Sequence, residues 1–249
     1  MIIAKDLNIN FSGKNLFSEN INIELKEKQF TLLYGSSGSG KTTLFEMLSV
    51  LALPTQGKVI WGKEPMRSLN LANKNRFNQI TSIYSVFNFI ETLSIKDNIL
   101  LPALFAKEKN IEQNLTELEE LLQFPNLKDG EKSHVDLKDL LQKNIADLSN
   151  GQKEIIAIAR ALLLSNPKYL FADELLRSFN DDLEKKIWEK ILCFLVKHNK
   201  SLFMITHKTH LADSLQEFID DKNRNTNNTE ARILTINNQE LIEISKGNK

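Results

Sequence analysis

Cysteine is almost missing from this chain of 249 residues, in which Cys193 is the single one. One cysteine cannot form an intramolecular disulfide, which fits a reducing compartment. Cys193 stands among Ile, Leu, Phe and Val in a stretch with a helical pattern. We therefore expect a small buried apolar residue rather than a reactive thiol.

Excess charge and long apolar runs are missing too. The 32 Lys and Arg residues balance the 32 Asp and Glu residues, so the formal net charge is zero. This balance argues against broad nucleic-acid binding, which needs a basic surface. No apolar run approaches the ~20 residues of a membrane-spanning helix, and the first residues, MIIAKDLNINF, lack the layout of a signal peptide. Work at a membrane would require docking onto a protein that spans it.

Short apolar runs, each followed by glycine or polar residues, predict the buried strands of a parallel sheet. These runs are Phe30–Tyr34, Tyr169–Ala172 and Leu202–Ile205. Helical patterns separate them, at Thr42–Leu51, Gln152–Leu164 and Leu183–Lys197. Because ligands of open α/β sheets bind beyond the carboxyl ends of the strands, we expect the residues after the runs to meet at one edge.

The segment from about residue 87 to residue 147 has a different pattern. Helical spacing at Ile111–Phe124 and at Val135–Leu148, around a loop at Pro125–His134, predicts an inserted helical subdomain. Polar residues at Asp221–Glu230 predict an exposed loop. The runs on either side of Asn237–Glu240 predict a small hairpin, formed by Ile233–Ile236 and Leu241–Ile244.

The strongest motif is GSSGSGKT, which fits a phosphate-binding loop between a strand and a helix. Its glycines let the backbone approach phosphates and turn N–H groups inward. Lys41 is expected to reach the β- and γ-phosphates, and the Thr42 hydroxyl to bind Mg²⁺. A chance glycine-serine turn is the alternative, and the strand–turn–helix context argues against it. The predicted nucleotide-binding residues here are Gly35, Ser36, Ser37, Gly38, Ser39, Gly40, Lys41, Thr42 and Thr43.

Two carboxylates, Asp173 and Glu174, end the second apolar run. Asp173 can hold Mg²⁺, directly or through water, and Glu174 can polarise an attacking water. A strand that ends in solvated acids is the alternative. After a phosphate-binding loop, the catalytic interpretation is favoured.

Upstream of that strand stands Leu148-Ser149-Asn150-Gly151-Gln152. Together with the continuation AIARALLLSNPKYLFADE, it resembles the ABC ATPase family, whose signature is LSGGQ. The resemblance implies an α/β fold of the P-loop NTPase class. Such a fold has a RecA-like core with a mostly parallel sheet, a small N-terminal antiparallel β region and an inserted α-helical subdomain. We expect one domain, with residues 1–86 and 155–249 as core and residues 87–154 as the helical subdomain.

The resemblance also implies further site residues. Ser149 and the N–H of Gly151 would donate to the γ-phosphate held by a dimer partner, and Gln152 is predicted to bind nucleotide with them; a plain helix-capping turn is the alternative. His207 matches the switch histidine, which contacts the γ-phosphate and helps hold Glu174; a structural histidine is the alternative. The other three histidines follow no motif, so we expect structural roles for them. Adenine would stack on an aromatic residue at the position of Phe11, for which a core phenylalanine is a serious alternative.

Some stretches are similar to one branch of the family, the lipoprotein-release and macrolide-export group. They are Leu53–Val59, Glu91–Ile99 and Leu101–Leu104. The branch implies ATP and Mg²⁺ as cofactors, a homo- or heterodimer of ATP-binding subunits, and membrane permease subunits as partners. It also implies a peripheral, cytoplasmic location on the inner face of the plasma membrane.

Four departures from the family pattern stand in the sequence. Ser85 occupies the place of the Q-loop glutamine, and its shorter side chain would reach the metal only through a water. Asn180 replaces the D-loop aspartate and loses its charge. Leu175-Leu176 replaces the usual Pro-Thr, and the helical subdomain is lengthened around Pro125–Leu140.

These features favour an ATP-hydrolysing transport subunit. In such a subunit the run Phe87–Ile90 would help to form the groove for a permease helix, unless it is ordinary core. Ser85 and Asn180 leave open a regulatory or mechanical ABC module with weak hydrolysis. A soluble ABC protein of DNA repair or translation is disfavoured, because a second cassette and a long coiled-coil insertion are both lacking.

Overall fold

The computed structural model describes residues 1–49, 51–62, 64–65, 79–124, 135–223 and 229–244. The strands in these ranges are β1 (Ile2–Asn8), β2 (Asn10–Phe11), β3 (Lys14–Asn15), β4 (Ile21–Leu25), β5 (Gln29–Gly35), β6 (Gln56–Trp61), β7 (Glu64–Pro65), β8 (Ile80–Ile83), β9 (Gln123–Phe124), β10 (Val135–Asp136), β11 (Tyr169–Asp173), β12 (Ser201–Thr206), β13 (Glu230–Asn237) and β14 (Glu240–Glu243). The helices are α1 (Lys41–Leu48), α2 (Ile95–Ala106), α3 (Ile111–Leu121), α4 (Leu137–Leu140), α5 (Asn150–Leu162), α6 (Asp181–Lys197) and α7 (His210–Asn223), with a 3-10 turn at Ile145–Asp147.

The main sheet has the strand order β14-β13-β5-β12-β11-β8. Strand β12 pairs in parallel with both β5 and β11, which confirms the three strands predicted from apolar runs. In this register Thr206 lies opposite Tyr34, and Asp173 lies opposite Ile205, so the three carboxyl ends are side by side. The antiparallel pair of β13 and β14 confirms the predicted hairpin.

The central strands β5, β11 and β12 are mostly apolar, and both of their faces are buried. Successive residues of a strand point to opposite faces, and in β12 Phe203 belongs to one buried apolar cluster and Met204 to the other. One cluster joins the sheet to α5 and α6, and the other joins it to α1. Such double burial fixes the strand ends that carry the polar residues.

A second sheet, with the order β4-β1-β6-β7, is antiparallel throughout. Its apolar residues, including Ile2, Leu7 and Val59, pack in the same cluster as α1. This arrangement confirms the expected small antiparallel region next to the mostly parallel core.

The prediction of a helix at Val135–Leu148 is wrong. Val135–Asp136 pairs with β9 as a short strand, and the Asp136 side chain then caps the single turn of α4 by accepting a hydrogen bond from the Lys138 N–H at 2.8 Å. Two short turns stand in place of the predicted helix: α4 buries Leu137 and Leu140, and the 3-10 turn buries Ile145.

The neighbouring predictions need smaller changes. The helix predicted at Ile111–Phe124 is α3, which ends at Leu121, where the chain turns into β9. The predicted loop at Pro125–His134 lies outside the described residues. In the segment predicted as a loop at Asp221–Glu230, α7 extends to Asn223 and Glu230 begins β13, while residues 224–228 are outside the described residues.

Cys193 is exposed, so the expectation of a buried cysteine is wrong. In α6 the buried stripe passes through Ile187, Ile191 and Leu195. Cys193 comes two residues after Ile191, which turns it away from this stripe on a helix. It lies on the same exposed side as Glu189, four residues before it. Apolar sequence neighbours therefore do not bury this thiol.

None of the helices in the described ranges is long and apolar enough to cross a membrane.

Candidate functional site

The loop between β5 and α1 folds around the side chain of Lys41. The Lys41 ammonium donates hydrogen bonds to the carbonyl oxygens of Gly35 and Ser36, each at 2.8 Å. Gly40 precedes the helix in a left-handed conformation with φ +99, which glycine adopts without strain. The N-terminus of α1, with its unpaired N–H groups, therefore opens onto the loop.

Two carboxylates at the end of β11 act on this ammonium. Burial lowers the pKa of Lys41, and the negative charges of Glu174 and Asp173 oppose that shift. Asp173 pairs with Ile205 of β12, and Ile205 pairs with Leu33 of β5, so the two acids leave the sheet at the same edge as the phosphate-binding loop. The structure thus brings together the two motifs predicted for nucleotide and metal binding.

His207 follows β12 and bridges the two neighbouring strand ends. Its Nδ1 lies 3.0 Å from the Gly35 carbonyl oxygen, and its Nε2 lies 3.3 Å from Glu174 Oε1. Both partners are hydrogen-bond acceptors, so the ring nitrogen that carries the hydrogen donates to the partner it faces. The Glu174 N–H donates to the Ile205 carbonyl at 3.0 Å, which anchors the acid to β12.

The backbone after β11 is held in an unusual conformation. Glu174 has φ +54 and Leu176 has φ +68, in the left-handed region that few residues other than glycine adopt. Such outliers persist only where surrounding contacts hold them, and they cluster at functional sites. The sharp turn that follows the strand starts at the acid predicted to be catalytic.

The predicted signature residues form the N-terminus of α5. The Ser149 hydroxyl accepts from the Gln152 N–H at 3.2 Å, and the Ser149 N–H donates to the Gln152 side-chain oxygen at 3.0 Å. This is the helix cap that the alternative interpretation foresaw. Within the described ranges, no hydrogen bond joins Ser149, Gly151 or Gln152 to the phosphate-binding loop of the same chain.

A sequence model of the ABC transporter family matches residues 18–177, which include the phosphate-binding loop, the signature and the paired acids. This chain belongs to the ABC transporter family. It is an ATP-binding cassette with ATP hydrolase activity.

Relatives and a solved structure agree with this assignment. The lipoprotein-releasing system ATP-binding protein LolD 1 of Rhodopirellula baltica is 32% identical over 79% of this chain and 82% of its own. The macrolide export ATP-binding/permease protein MacB of Campylobacter jejuni is 27% identical over 89% of this chain and 33% of its own. The structure of the ATP-binding cassette MJ0796 as a dimer bound to ADP and Pi has the same fold, with a TM-score of 0.72 at 21% identity over 98% of this chain and 99% of the other.

Two arginines that the sequence did not single out hold the Q-loop region of the cassette. Arg177 donates to the backbone carbonyl of Ser85, and Arg160 donates to the carbonyls of Phe87 at 2.7 Å and Asn88 at 3.2 Å. The Arg160 guanidinium also lies 5.0 Å from the centre of the Phe89 ring. An arginine within the apolar pattern of α5 was the available signal, because such a side chain needs partners.

Glu154 is a second residue that the sequence analysis missed. It is 1% exposed, and its carboxylate accepts hydrogen bonds from the N–H groups of Leu176 and Ser178, the latter at 3.2 Å. Burial raises its pKa and these donors oppose the shift. Glu154 therefore ties the signature helix to the loop that follows Glu174. The available signal was an acid beside the buried stripe of α5.

The structure says less about the role of the remaining predicted site residues. Thr42 and Thr43 lie in the first turn of α1, the former exposed and the latter partly buried. The backbone of Phe11 pairs with Lys14 in a short hairpin, and its side chain is outside the described residues, so adenine stacking stays a prediction. Asn180 caps α6, since its side-chain oxygen accepts from the Leu183 N–H at 3.0 Å.

The residues present fit a nucleotide with a divalent cation. The buried Ser39 hydroxyl oxygen has no hydrogen-bond partner among the described residues, although it lies inside the phosphate-binding loop. Such an orphaned polar atom is usually explained by a ligand or water. Thr42, Ser85 and Asp173 offer hydroxyl and carboxylate oxygens, the hard donors that Mg²⁺ prefers beside phosphate oxygens.

The close approach at Gly40 yields a test of the loop geometry. A Cβ there would lie 2.8 Å from Cε1 of the buried Phe17, whereas a Cβ on Gly62, which also has positive φ, would meet open space. We expect Gly40→Ala to weaken ATP binding at least about tenfold, because overpacking of roughly 1–3 kcal/mol displaces the start of α1. Titration calorimetry and thermal unfolding measure both effects.

Gly62→Ala is the matched control, because it also places an alanine at a positive φ, in the turn after β6. Its ATP affinity should equal that of the parent. Equal affinities for the two alanine variants would contradict the role of the close approach at Gly40.

Proposed function

We propose that this chain is the ATP-hydrolysing subunit of a membrane transporter and that Glu174, His207 and Lys41 carry the reaction. The observation that supports this most is the His207 ring, which contacts both the loop carbonyl of Gly35 and the carboxylate of Glu174. A base next to a phosphate site, oriented by a third group, is the arrangement that water attack on a phosphate requires.

In this proposal each residue has one task. Residues 35–43 bind the phosphates through backbone N–H groups and the positive end of α1. The Lys41 ammonium exchanges its carbonyl partners for the β- and γ-phosphate oxygens, where it neutralises developing charge. Glu174 accepts the proton of the attacking water, and His207 keeps that carboxylate in place and donates to the γ-phosphate.

The proposed Mg²⁺ site uses the hydroxyls of Thr42 and Ser85 and the carboxylate of Asp173. When bound, the cation would offset the negative charge of the phosphates. Thr42 lies at the start of α1, which follows β5, and Asp173 lies at the end of β11. Strand β12 pairs with both β5 and β11 and so places the two residues at one edge of the sheet. Ser85 would act through a water, since its side chain is short.

The signature turn is proposed to act on the nucleotide of a second cassette. Ser149 and the N–H of Gly151 stand at the N-terminus of a helix of 13 residues, where an anion is stabilised. Gly151 also packs closely on the loop after Glu174, since a Cβ there would lie 3.1 Å from the Phe179 ring. Closure of two cassettes would thus act, in each cassette, on the loop that follows Glu174.

The membrane partner is proposed to dock beside the Q-loop region. Phe87 and Phe89 pack on the apolar core, as the alternative interpretation foresaw, but Val86, Ile90, Leu104 and Phe105 are exposed. Phe105 is 82% exposed, and exposed apolar groups of this size are typical of interaction sites. The likeness to LolD and MacB proteins supports a permease that serves lipoprotein release or export, at the cytoplasmic face of the membrane.

The proposal predicts the behaviour of Glu174→Gln. We expect hydrolysis of Mg-ATP to fall about 10²–10⁴-fold, because the amide cannot accept a proton from water. ATP affinity should remain, since the phosphate-binding loop is unchanged. Phosphate release and nucleotide titration on the purified chain measure the two quantities.

Glu189→Gln, at an exposed position of α6, is the matched control and should hydrolyse ATP as the parent does. A Glu174→Gln variant that retains the parent turnover would overturn the assignment of the base.

The regulatory or mechanical module is the second candidate function, and Ser85 is the observation that favours it. The Ser85→Gln variant separates the two, because Arg177 binds the backbone of this residue and that contact survives the change. For a transport ATPase we expect turnover within about threefold of the parent, since the metal still has its other ligands. A rise of about tenfold or more would instead favour a module whose hydrolysis is restrained by Ser85.

A further inference from the structure

Leu176 lies two residues after Glu174, and both of its backbone polar groups are bound by charged side chains. Its N–H donates to the Glu154 carboxylate, and its carbonyl accepts from the Lys208 ammonium at 3.0 Å. The Leu176 side chain is fully buried, and its φ of +68 is costly for a leucine. The turn that carries Glu174 therefore depends on two charged contacts from other parts of the chain.

Lys208 reaches this turn from the residue next to His207. Its N–H donates to the Thr206 hydroxyl at 3.0 Å, which fixes the backbone at the end of β12. Its ammonium also pairs with the carboxylate of Glu184, a residue of α6 that is 1% exposed. One side chain thus connects the segment of His207 to the segment of Glu174.

Glu184 holds the same segment at a second point. One carboxylate oxygen binds Lys208, and the other lies 2.5 Å from Nε2 of His210. A buried carboxylate with charged or polar partners on both oxygens tolerates few alternative arrangements, because an unpaired charge in a low dielectric is costly. The position of Lys208 is therefore set from α6.

The contacts of Lys208 are made close in sequence to His207 and Glu174, the proposed catalytic pair. His207 and Glu174 approach to 3.3 Å, yet they belong to separate loops after β12 and β11. The carbonyl of Leu176 and the ammonium of Lys208 join the same two loops only one or two residues further along. The contact between Leu176 and Lys208 is thus a second link between the two loops, beside that between His207 and Glu174.

We propose that Lys208 and Glu184 are positioning residues for ATP hydrolysis. Lys208 links the histidine loop to the turn of the catalytic acid, and Glu184 fixes Lys208. This inference rests on the proposed roles of Glu174 and His207. Neither residue is assigned a contact with the nucleotide, so we expect their loss to change ATP binding much less than the hydrolysis rate.

The test must separate positioning from stability, because the loss of Lys208 alone leaves the buried Glu184 without its ammonium partner. Lys208→Met has that defect and is expected to unfold at a lower temperature than the parent. The double variant Glu184→Gln, Lys208→Met removes both charges, so its unfolding temperature should return toward the parent value. The link to Leu176 stays broken in both variants.

We expect kcat to fall at least about tenfold in Lys208→Met and to remain low in the double variant, because small misplacement of catalytic groups costs up to ~10²-fold. The KM for ATP should stay within about twofold of the parent. Recovery of kcat together with unfolding temperature in the double variant would overturn the proposal, as would an unchanged kcat in Lys208→Met.

Lys190→Met is the matched control. Lys190 also belongs to α6 and donates to two backbone carbonyls, those of Leu121 at 2.7 Å and Gln123 at 2.8 Å, away from the site. We expect it to lose stability and keep kcat.

A spectroscopic readout keeps this test independent of turnover. The ring ¹⁵N signals of His207 in nucleotide-free protein should change in Lys208→Met and in the double variant, and stay unchanged in Lys190→Met. Unchanged His207 signals in all variants would overturn the positioning role even if the parent hydrolysed no ATP. Failure of the proposed function is recognised separately, from parent turnover that Glu174→Gln does not reduce.

Discussion

The parallel pairing of β5, β12 and β11 is the constraint on which the site depends. Its register places Tyr34 beside Thr206 and Ile205 beside Asp173, so the loops that follow must begin at one edge. Burial of both sheet faces leaves these strands no freedom to slide, because a shift of one residue would move every side chain to the opposite face. The phosphate-binding loop, the acids and His207 meet for this reason.

Charged side chains fix the loops that follow the strands of the sheet. The loops beyond the strand ends have backbone N–H and carbonyl groups without sheet partners, and buried groups of this kind need hydrogen bonds. Lys41, Glu154, Arg160, Arg177 and Lys208 supply them, each by binding backbone atoms of a loop at the site. These charged side chains therefore have a geometric task, since two of them hold the left-handed turn at Leu176.

The parts of the site that were predictable from sequence are those encoded within a few consecutive residues. Residues 35–42, Asp173-Glu174 and His207 follow apolar runs whose length and composition predict strands. The links between distant segments were not predictable, because the pairing of Lys208 with Glu184 joins residues 24 apart and depends on how α6 packs. The predictions for Cys193 and for Val135–Leu148 were wrong for a related reason. Apolar neighbours in the sequence do not define which face of a helix is buried or where a helix ends.

The most direct test is the hydrolysis rate of bound ATP in the His207→Ala variant. The dissociation constant for ATP is measured on the same preparation, and His198→Ala is the control. His198 contacts Glu117 at 2.8 Å, far along α6 from the strand ends. If the three strand ends form one catalytic centre, hydrolysis in His207→Ala falls about 10²-fold while the dissociation constant changes less than about threefold. An unchanged hydrolysis rate in His207→Ala would contradict the account.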